Sequence, residues 1–153
     1  MSRAFVKEDD VARSAPLVAP RAPLPLGVPN YVTERGLRLL DDELDTLRGQ
    51  PADEQRALRL AELEARRASA VLVDVASQPR DEIRFGATVT VRGETGDERT
   101  FQIVGVDEAD AAGGKIAFTA PLARALLGKK TGDAALVRAP RGEEELEVLV
   151  IRY

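Results

Sequence analysis

The chain has no cysteine and no histidine among its 153 residues. Their absence rules out disulfides, thiolate nucleophiles and imidazole bases, and it removes the usual ligands of zinc. Aromatic residues are also scarce, with four Phe and two Tyr, so a hydrophobic core must be built mainly from aliphatic side chains. The chain therefore lacks the catalytic groups that most enzyme classes use. We expect no catalytic residue, no cofactor and no metal site belonging to this chain alone.

Clustered basic charge is missing as well. The net charge is −4, and it is spread as +1 over residues 1–30, −3 over residues 31–78 and −2 over residues 79–153. Because binding to phosphates needs clustered Lys and Arg, we expect no direct sequence-specific binding to nucleic acid. The first ten residues contain no apolar stretch typical of a signal peptide, and no segment is long enough to span a membrane. The sequence predicts a cytoplasmic protein without a membrane partner.

The first part of the chain is rich in proline. Residues 11–30 contain five prolines and two arginines without any periodicity, a composition that favours extended, mobile backbone. We predict a flexible proline-rich arm over residues 1–30. The alternative is an arm that packs along the rest of the protein in polyproline II conformation, and the sequence does not separate the two.

Helical periodicity begins near residue 31. Thr33 suits a helix N-cap, and the leucines that follow it recur at steps of three and four residues, the spacing of one helix face. Gly49 can take a left-handed C-cap and Pro51 suits the first position of a new helix, so residues 49–51 predict a turn between two helices. The leucines of this first helical segment are Leu37, Leu40, Leu44 and Leu47.

A second stripe of the same period follows the turn. Folding the chain back at residue 51 sets these small and large apolar residues against the leucines of the first helix, which predicts an antiparallel hairpin, a short coiled coil, over residues 31–78. The alternative is ordinary packing of two amphipathic helices on a globular core. The stripe consists of Leu58, Ala61, Ala65, Ala68 and Leu72.

Residues 79–153 change to the alternating pattern of strands. Segments 85–91, 100–104, 115–118, 134–138 and 145–151 predict an antiparallel sheet of about five strands, and residues 121–127 predict one short helix with proline in its first turn. The whole chain is thus predicted to be α+β. Gly113-Gly114-Lys115 indicates a hairpin turn, and we expect the acidic side chains of Asp107, Glu108 and Asp110 to be solvated.

Four blocks of this second half resemble the C-terminal domain of the GreA/GreB family of bacterial transcription elongation factors. They are FGATVTV at 85–91, QIVG with DE and AD at 102–110, APLARALLGK with GD at 120–133, and VIRY at 150–153. Tyr31-Val32-Thr33 before Gly36 and the leucine-rich helix also resemble the opening of the family, so the similarity covers residues 31–153. The resemblance implies an FKBP-like domain over residues 79–153.

The resemblance further implies a partner, RNA polymerase. In this family the sheet domain docks at the rim of the polymerase secondary channel and the helical hairpin enters the channel. Two acidic residues at the hairpin tip then help to hold Mg²⁺ at the polymerase active centre and stimulate cleavage of backtracked RNA. A carboxylate supplied in this way can complete a site for a hard cation.

The sequence departs from the family pattern at two places. The acidic tip motif of the family is absent and the hairpin arms are shorter, so the chain resembles the short-hairpin branch called regulators of nucleoside diphosphate kinase. Asp53 and Glu54 are the only acidic pair at the turn, and their simpler role is favourable charge at a helix start. At the docking loop a serine is replaced, leaving Thr119, Ala120, Pro121 and Arg124 as candidates for polymerase contact, although this segment also reads as a capped helix filling the sheet.

Three functional hypotheses follow. The first is a regulator, expected to be a monomer, that binds RNA polymerase without strong stimulation of cleavage. The second is a true cleavage factor in which Asp53 and Glu54 share the polymerase Mg²⁺. The third is a protein-interaction module that does not involve polymerase.

Overall fold

The computed structural model describes residues 23–153. Two helices and two short strands form the first part, in the order β1 (Asn30–Val32), α1 (Glu34–Arg48), α2 (Glu54–Ser69) and β2 (Ala70–Leu72). The two helices pack on each other as the predicted antiparallel hairpin. Most of the predicted flexible arm, residues 1–22, lies outside the described residues, but its end is structured, because Val28 packs on the sheet core and Asn30 begins β1.

Thr33 is the N-cap of α1, as the sequence predicts. Its side-chain hydroxyl accepts a hydrogen bond from the backbone N–H of Gly36 at 3.0 Å, which satisfies one of the free amides of the first turn. The predicted leucine face is also confirmed. Leu40, Leu44 and Leu47 are buried and Leu37 is partly buried against them.

The turn between the helices lies where predicted, but its details differ. Gly49 has φ −79° and ψ −9°, so it is right-handed and not the left-handed cap expected of it. Pro51 lies in the connecting loop, because Asp53 caps α2 and starts that helix at Glu54. A side-chain cap at position 53 therefore decides the helix start, and proline does not.

The predicted apolar stripe of α2 is wrong. Leu58 is 68% exposed, whereas Leu63 is 1% exposed and Leu60 packs partly buried beside it. The other members of the predicted stripe in the helix, Ala61, Ala65 and Ala68, also lie on the exposed face. Two apolar faces are available on α2, and the one with leucines at positions 60 and 63 buries more hydrocarbon against the α1 leucines.

Leu72 was predicted to belong to the helix but lies in β2. The helix ends at Ser69, where the side-chain amide of Asn30 donates to the carbonyl oxygen of Arg66 at 3.0 Å and to the hydroxyl of Ser69 at 3.2 Å. Strands β1 and β2 then pair in parallel, with Tyr31 opposite Val71. This two-stranded sheet, which the sequence did not reveal, joins the two ends of the hairpin.

The second part is a five-stranded sheet with one short helix. After a 3₁₀ turn at Val75–Ser77 the chain forms the elements β3 (Thr88–Arg92), β4 (Glu98–Val104), β5 (Lys115–Ala117), α3 (Pro121–Leu126), β6 (Ala134–Ala139) and β7 (Gly142–Arg152). The strand order is β5-β4-β3-β7-β6. The α+β class and the positions of these strands agree with the sequence prediction.

The sheet is mixed, which corrects the expectation of a fully antiparallel one. Strand β5 pairs in parallel with β4, with Ile103 opposite Ile116, while the other neighbouring strands are antiparallel. The loop over residues 105–114 returns the chain to the level of Gln102 in β4 before β5 begins, so no direct hairpin forms. The expected turn at residues 113–115 lies at the end of this loop, where Asp110 and Lys115 form a bridge.

The core of the sheet domain is aliphatic, as the composition predicts. Helix α3 closes one face, where Ala123 and Leu126 are fully buried and Leu122 and Ala125 are partly buried. Val28 and Tyr31, which precede α1, also pack on this core. Within residues 23–153 no helix is long and apolar enough to cross a bilayer. The buried sheet residues include Ile83, Phe85, Val89, Val91, Ile103, Phe118, Leu146 and Val148.

Candidate functional sites

The two acidic residues predicted at the hairpin tip are adjacent and exposed, but they have different surroundings. The carboxylate of Asp53 accepts a hydrogen bond from the backbone N–H of Arg56 at 2.7 Å and so caps α2. Glu54 occupies the first turn, where negative charge is favourable at the positive end of the helix. Asp53 therefore has a structural task, and Glu54 is the acid that projects from the tip.

The side chain of Arg56 bonds to the α1 side of the same turn. The guanidinium of Arg56 donates from Nε to the carbonyl oxygen of Leu47 at 2.7 Å and from Nη2 to that of Arg48 at 3.1 Å. These oxygens belong to the last turn of α1, beyond which no helical amide follows, although the Leu47 oxygen also accepts from the backbone N–H of Gln50 at 3.1 Å. Arg56 thus replaces the left-handed glycine cap predicted at Gly49, and the tip is closed from both helices.

The described residues contain no group of three or more acidic side chains placed to hold a metal ion. Asp53 and Glu54 are a pair on one helix start, and Ca²⁺ or Mg²⁺ needs six or more oxygen ligands. The tip acids can therefore contribute to a cation site only together with ligands from another molecule or from water.

The second predicted site lies between β5 and α3. Pro121 begins α3 and is exposed, Arg124 is exposed in the last turn, and Thr119 and Ala120 are half-buried. Ala120 occupies the N-cap position with extended backbone and offers no side-chain cap, which is the consequence of the missing serine. These four residues are neighbours around the start of α3. The hairpin tip lies on the other part of the fold.

Asp107 and Glu108, expected to be solvated, are buried. The Glu108 side chain is 2% exposed and that of Asp107 is 6% exposed, and both carboxylates face the base of the hairpin. Their partners are Arg35 at 2.9 Å from Glu108 and Arg66 at 3.4 Å from Asp107. Local sequence could not reveal this, because partners 41 and 73 positions apart meet only in the tertiary fold. Asp110 of the same loop is exposed, as expected.

Two tyrosines make long-range contacts that the sequence did not predict, Tyr31 between the two parts of the fold and Tyr153 within the sheet domain. The Tyr31 ring packs against Phe85 at 5.9 Å and Phe118 at 5.5 Å between centroids, so β1 is anchored in the sheet core. The Tyr153 hydroxyl donates to the carbonyl oxygen of Glu82 at 2.6 Å. It also accepts from the backbone N–H of Arg84 at 2.6 Å. Burial raises the pKa of Tyr153 above its ordinary value of 10.0.

Comparison with known proteins assigns the family. Residues 78–153 match the sequence model described as "Transcription elongation factor, GreA/GreB, C-term". The transcription elongation factor GreA of Pseudomonas aeruginosa is 41% identical over 121 residues, which span 76% of this chain and 77% of that protein. The chain belongs to the GreA/GreB family of transcription elongation factors. The family predicted from the sequence is thereby confirmed.

Two further members of the GreA/GreB family match over different shares of the chain. GreA of Hyphomonas neptunium is 48% identical over 96 residues, so the match spans 62% of this chain and 61% of that relative's length. A solved structure of a GreA/GreB elongation factor from Nitrosomonas europaea superposes with a TM-score of 0.45 at 29% identity. That superposition covers 80% of this chain and 98% of that one.

Proposed function

We propose that this GreA/GreB-family protein regulates transcription elongation by binding RNA polymerase in the cytoplasm, as a monomer. The sheet domain, residues 79–153, docks at the rim of the secondary channel, and the hairpin, residues 31–78, is directed into the channel. Membership of the family supports the partner. The hairpin supports the mode of binding, because it has its own buried leucine cluster and ends in a turn closed by Arg56 and Asp53.

We further propose that the protein does not strongly stimulate transcript cleavage. The observation that carries this is the hydrogen bond from the Arg56 amide to the Asp53 carboxylate, which occupies one of the two tip acids in capping α2. A metal ligand at this position would have to give up or share the cap. The arms are also short, since the 15 residues of α1 span about 23 Å at 1.5 Å per residue.

Docking is assigned to the surface formed by Thr119, Ala120, Pro121 and Arg124. Pro121 and Arg124 are exposed on α3, and an Arg guanidinium can bind a carboxylate of the partner through two hydrogen bonds. Without a hydroxyl at position 120, the start of this helix has one donor and one acceptor fewer to offer polymerase. The binding of wild type and of Arg124→Ala to purified polymerase core tests this surface. Exposed Lys130→Ala is the control.

Cleavage is tested with stalled, backtracked elongation complexes and purified full-length protein. Wild type is expected to bind the complexes and to leave the rate of RNA cleavage close to that without factor. If wild type accelerates cleavage, the variants Asp53→Asn and Glu54→Gln decide the mechanism. Asparagine at an N-cap keeps the cap while removing the charge, so a loss of stimulation in Asp53→Asn would identify a metal ligand and not a folding defect.

The same experiment separates the remaining hypotheses. Stimulation that disappears in Asp53→Asn and Glu54→Gln would establish a cleavage factor sharing Mg²⁺ with the polymerase active centre, contrary to the proposal. If the wild-type protein neither binds purified polymerase core nor captures polymerase subunits from a lysate, both polymerase hypotheses are removed. A protein-interaction module with a different partner would then be the remaining reading.

A further inference from the structure

One loop of the sheet domain contacts both ends of the helical hairpin. The loop follows β4; its residue Glu108 lies against the start of α1, Asp107 lies against the end of α2, and Gly105 lies against β1. The two helix ends are 30 or more residues apart in sequence and are brought together by the pairing of β1 with β2. A single short loop is therefore placed to determine how the hairpin leaves the sheet.

Glu108 holds the start of α1. One carboxylate oxygen, Oε1, accepts a hydrogen bond from the hydroxyl of Thr33, the residue that caps α1, and the other, Oε2, lies 2.9 Å from the Arg35 guanidinium. Gly36 allows this approach, because a Cβ at that position would lie 2.9 Å from Oε1 of Glu108. Both oxygens of a nearly inaccessible carboxylate are thus used on one helix end.

Asp107 holds the end of α2. Its carboxylate lies 3.4 Å from the guanidinium of Arg66, and both side chains are shielded, with 6% and 11% exposure. The carbonyl oxygen of Arg66 accepts from the amide of Asn30 in β1, so the same residue is tied to the foot of the hairpin. Breaking a shielded, charge-assisted contact is costly, so this contact resists displacement.

The third attachment of the hairpin base is apolar. Tyr31 packs its ring against Phe85 and Phe118, which also contact each other in the sheet core, and its carbonyl oxygen lies where a Cβ on Gly105 would come within 2.5 Å. A single contact of this kind fixes one point of the hairpin but leaves the hairpin free to rotate about that point. Two further contacts, on different helix ends, are needed to define a direction.

We propose that Asp107 and Glu108 are positioning residues that fix the direction in which the helical hairpin projects from the sheet domain. The functional consequence rests on the proposed function, because a hairpin must be aligned to enter a channel while the sheet domain docks outside it. Neither carboxylate is required to touch polymerase. Their effect on binding acts through the orientation of α1 and α2.

The direction is measured by the distance between two spin labels in the full-length protein. The chain contains no cysteine, so Gln55→Cys near the tip and Arg141→Cys in the turn before β7 give two unique and exposed attachment sites. Pulsed electron spin resonance on this pair is expected to give one narrow distance distribution. The double substitution Asp107→Asn plus Glu108→Gln is expected to broaden or shift it, while Asp110→Asn, an exposed change in the same loop, leaves it unchanged.

A second variant tests the contact between Glu108 and the start of α1 without removing any charge. Gly36→Ala adds a methyl group that displaces the end of the Glu108 side chain, while alanine favours the helix in which position 36 lies. The helical circular dichroism is therefore expected to persist while the distance distribution broadens or shifts. An unchanged distribution in both Gly36→Ala and the double variant would overturn the proposal.

Binding to purified polymerase core separates this proposal from the proposed function. If wild type binds and the double variant binds more weakly with its helical signal intact, both stand. If wild type does not bind but the spin-label distances respond as expected, the proposed function fails and the positioning role remains. If the distances respond but polymerase affinity is equal for wild type and both variants, direction has no bearing on binding, and the functional part of the proposal is rejected.

Discussion

The Nε atom of Arg56, in the first turn of α2, donates a hydrogen bond to the carbonyl oxygen of Leu47 in the last turn of α1 at 2.7 Å. Its Nη2 atom bonds the next carbonyl oxygen, that of Arg48. The same residue's backbone amide is capped by Asp53. Arg56 therefore caps the end of α1 with its side chain, and its backbone N–H is capped at the start of α2.

Arg56→Ala is expected to loosen the end of α1 and to lower the free energy of unfolding by about 1 to 2 kcal/mol, since two hydrogen bonds to backbone carbonyls are lost. Amide hydrogen exchange at Gly49 and Gln50 should accelerate, because their amides bond to the last turn of α1. Arg59→Ala, an exposed change on the same helix, is the control and should alter stability by less than about 0.5 kcal/mol. Equal effects of the two substitutions would contradict the capping role.

The orientation of α2 predicts that truncating two of its leucines lowers the free energy of unfolding by different amounts. Leu63→Ala removes a buried side chain from the hairpin cluster and should cost about 2 to 5 kcal/mol. Leu58→Ala alters an exposed side chain and should cost less than about 0.5 kcal/mol beyond any change in helix propensity. Denaturant unfolding of the full-length variants compares them directly. The reverse ranking would restore the stripe that the sequence alone suggested.

Tyr153 predicts a loss of stability in alkali. Its pKa is raised by burial, against the opposing hydrogen bond from the Arg84 amide, so the folded protein holds the phenolic proton more tightly than the unfolded chain. This contribution is complete below pH 10.0, the ordinary pKa, and is lost as the pH rises from there through the raised value. As the pH is raised through and above 10.0, the free energy of unfolding should fall more steeply for wild type than for Tyr153→Phe. Identical pH profiles would show that this hydroxyl is not linked to folding.

Ala120→Ser should stabilise the start of α3. Ala120 already has the extended backbone of an N-cap, with φ −69° and ψ 149°, but offers no side-chain acceptor to the first turn. A serine hydroxyl in that position is worth about 0.5 to 2 kcal/mol relative to alanine. Thermal unfolding measures the gain, and Ala125→Ser inside the same helix, which cannot cap, serves as the comparison. A gain in polymerase affinity as well would support the docking surface proposed for this loop.

Several elements follow from short stretches of sequence, because their causes are local. Thr33 caps a helix whose leucines have one periodic face, Pro121 opens the short helix, and alternating apolar residues mark β3, β4, β6 and β7. The lack of cysteine and histidine excludes disulfides, thiolate nucleophiles and imidazole bases regardless of fold. The α+β class, the helical hairpin and the family resemblance all rest on such signals.

The tertiary structure decided what depends on partners distant in sequence. Helix α2 has two apolar faces, and only packing against α1 shows that Leu63 lies inside and Leu58 outside. In the local sequence Asp107 and Glu108 have the pattern of solvated loop acids. In the fold they contact Arg66, Arg35 and Thr33 at the base of the hairpin. Periodicity and capping act over one or two turns of chain. Burial, ion pairing and the parallel strand pairs depend on which segments the fold brings together, and local sequence does not contain that information.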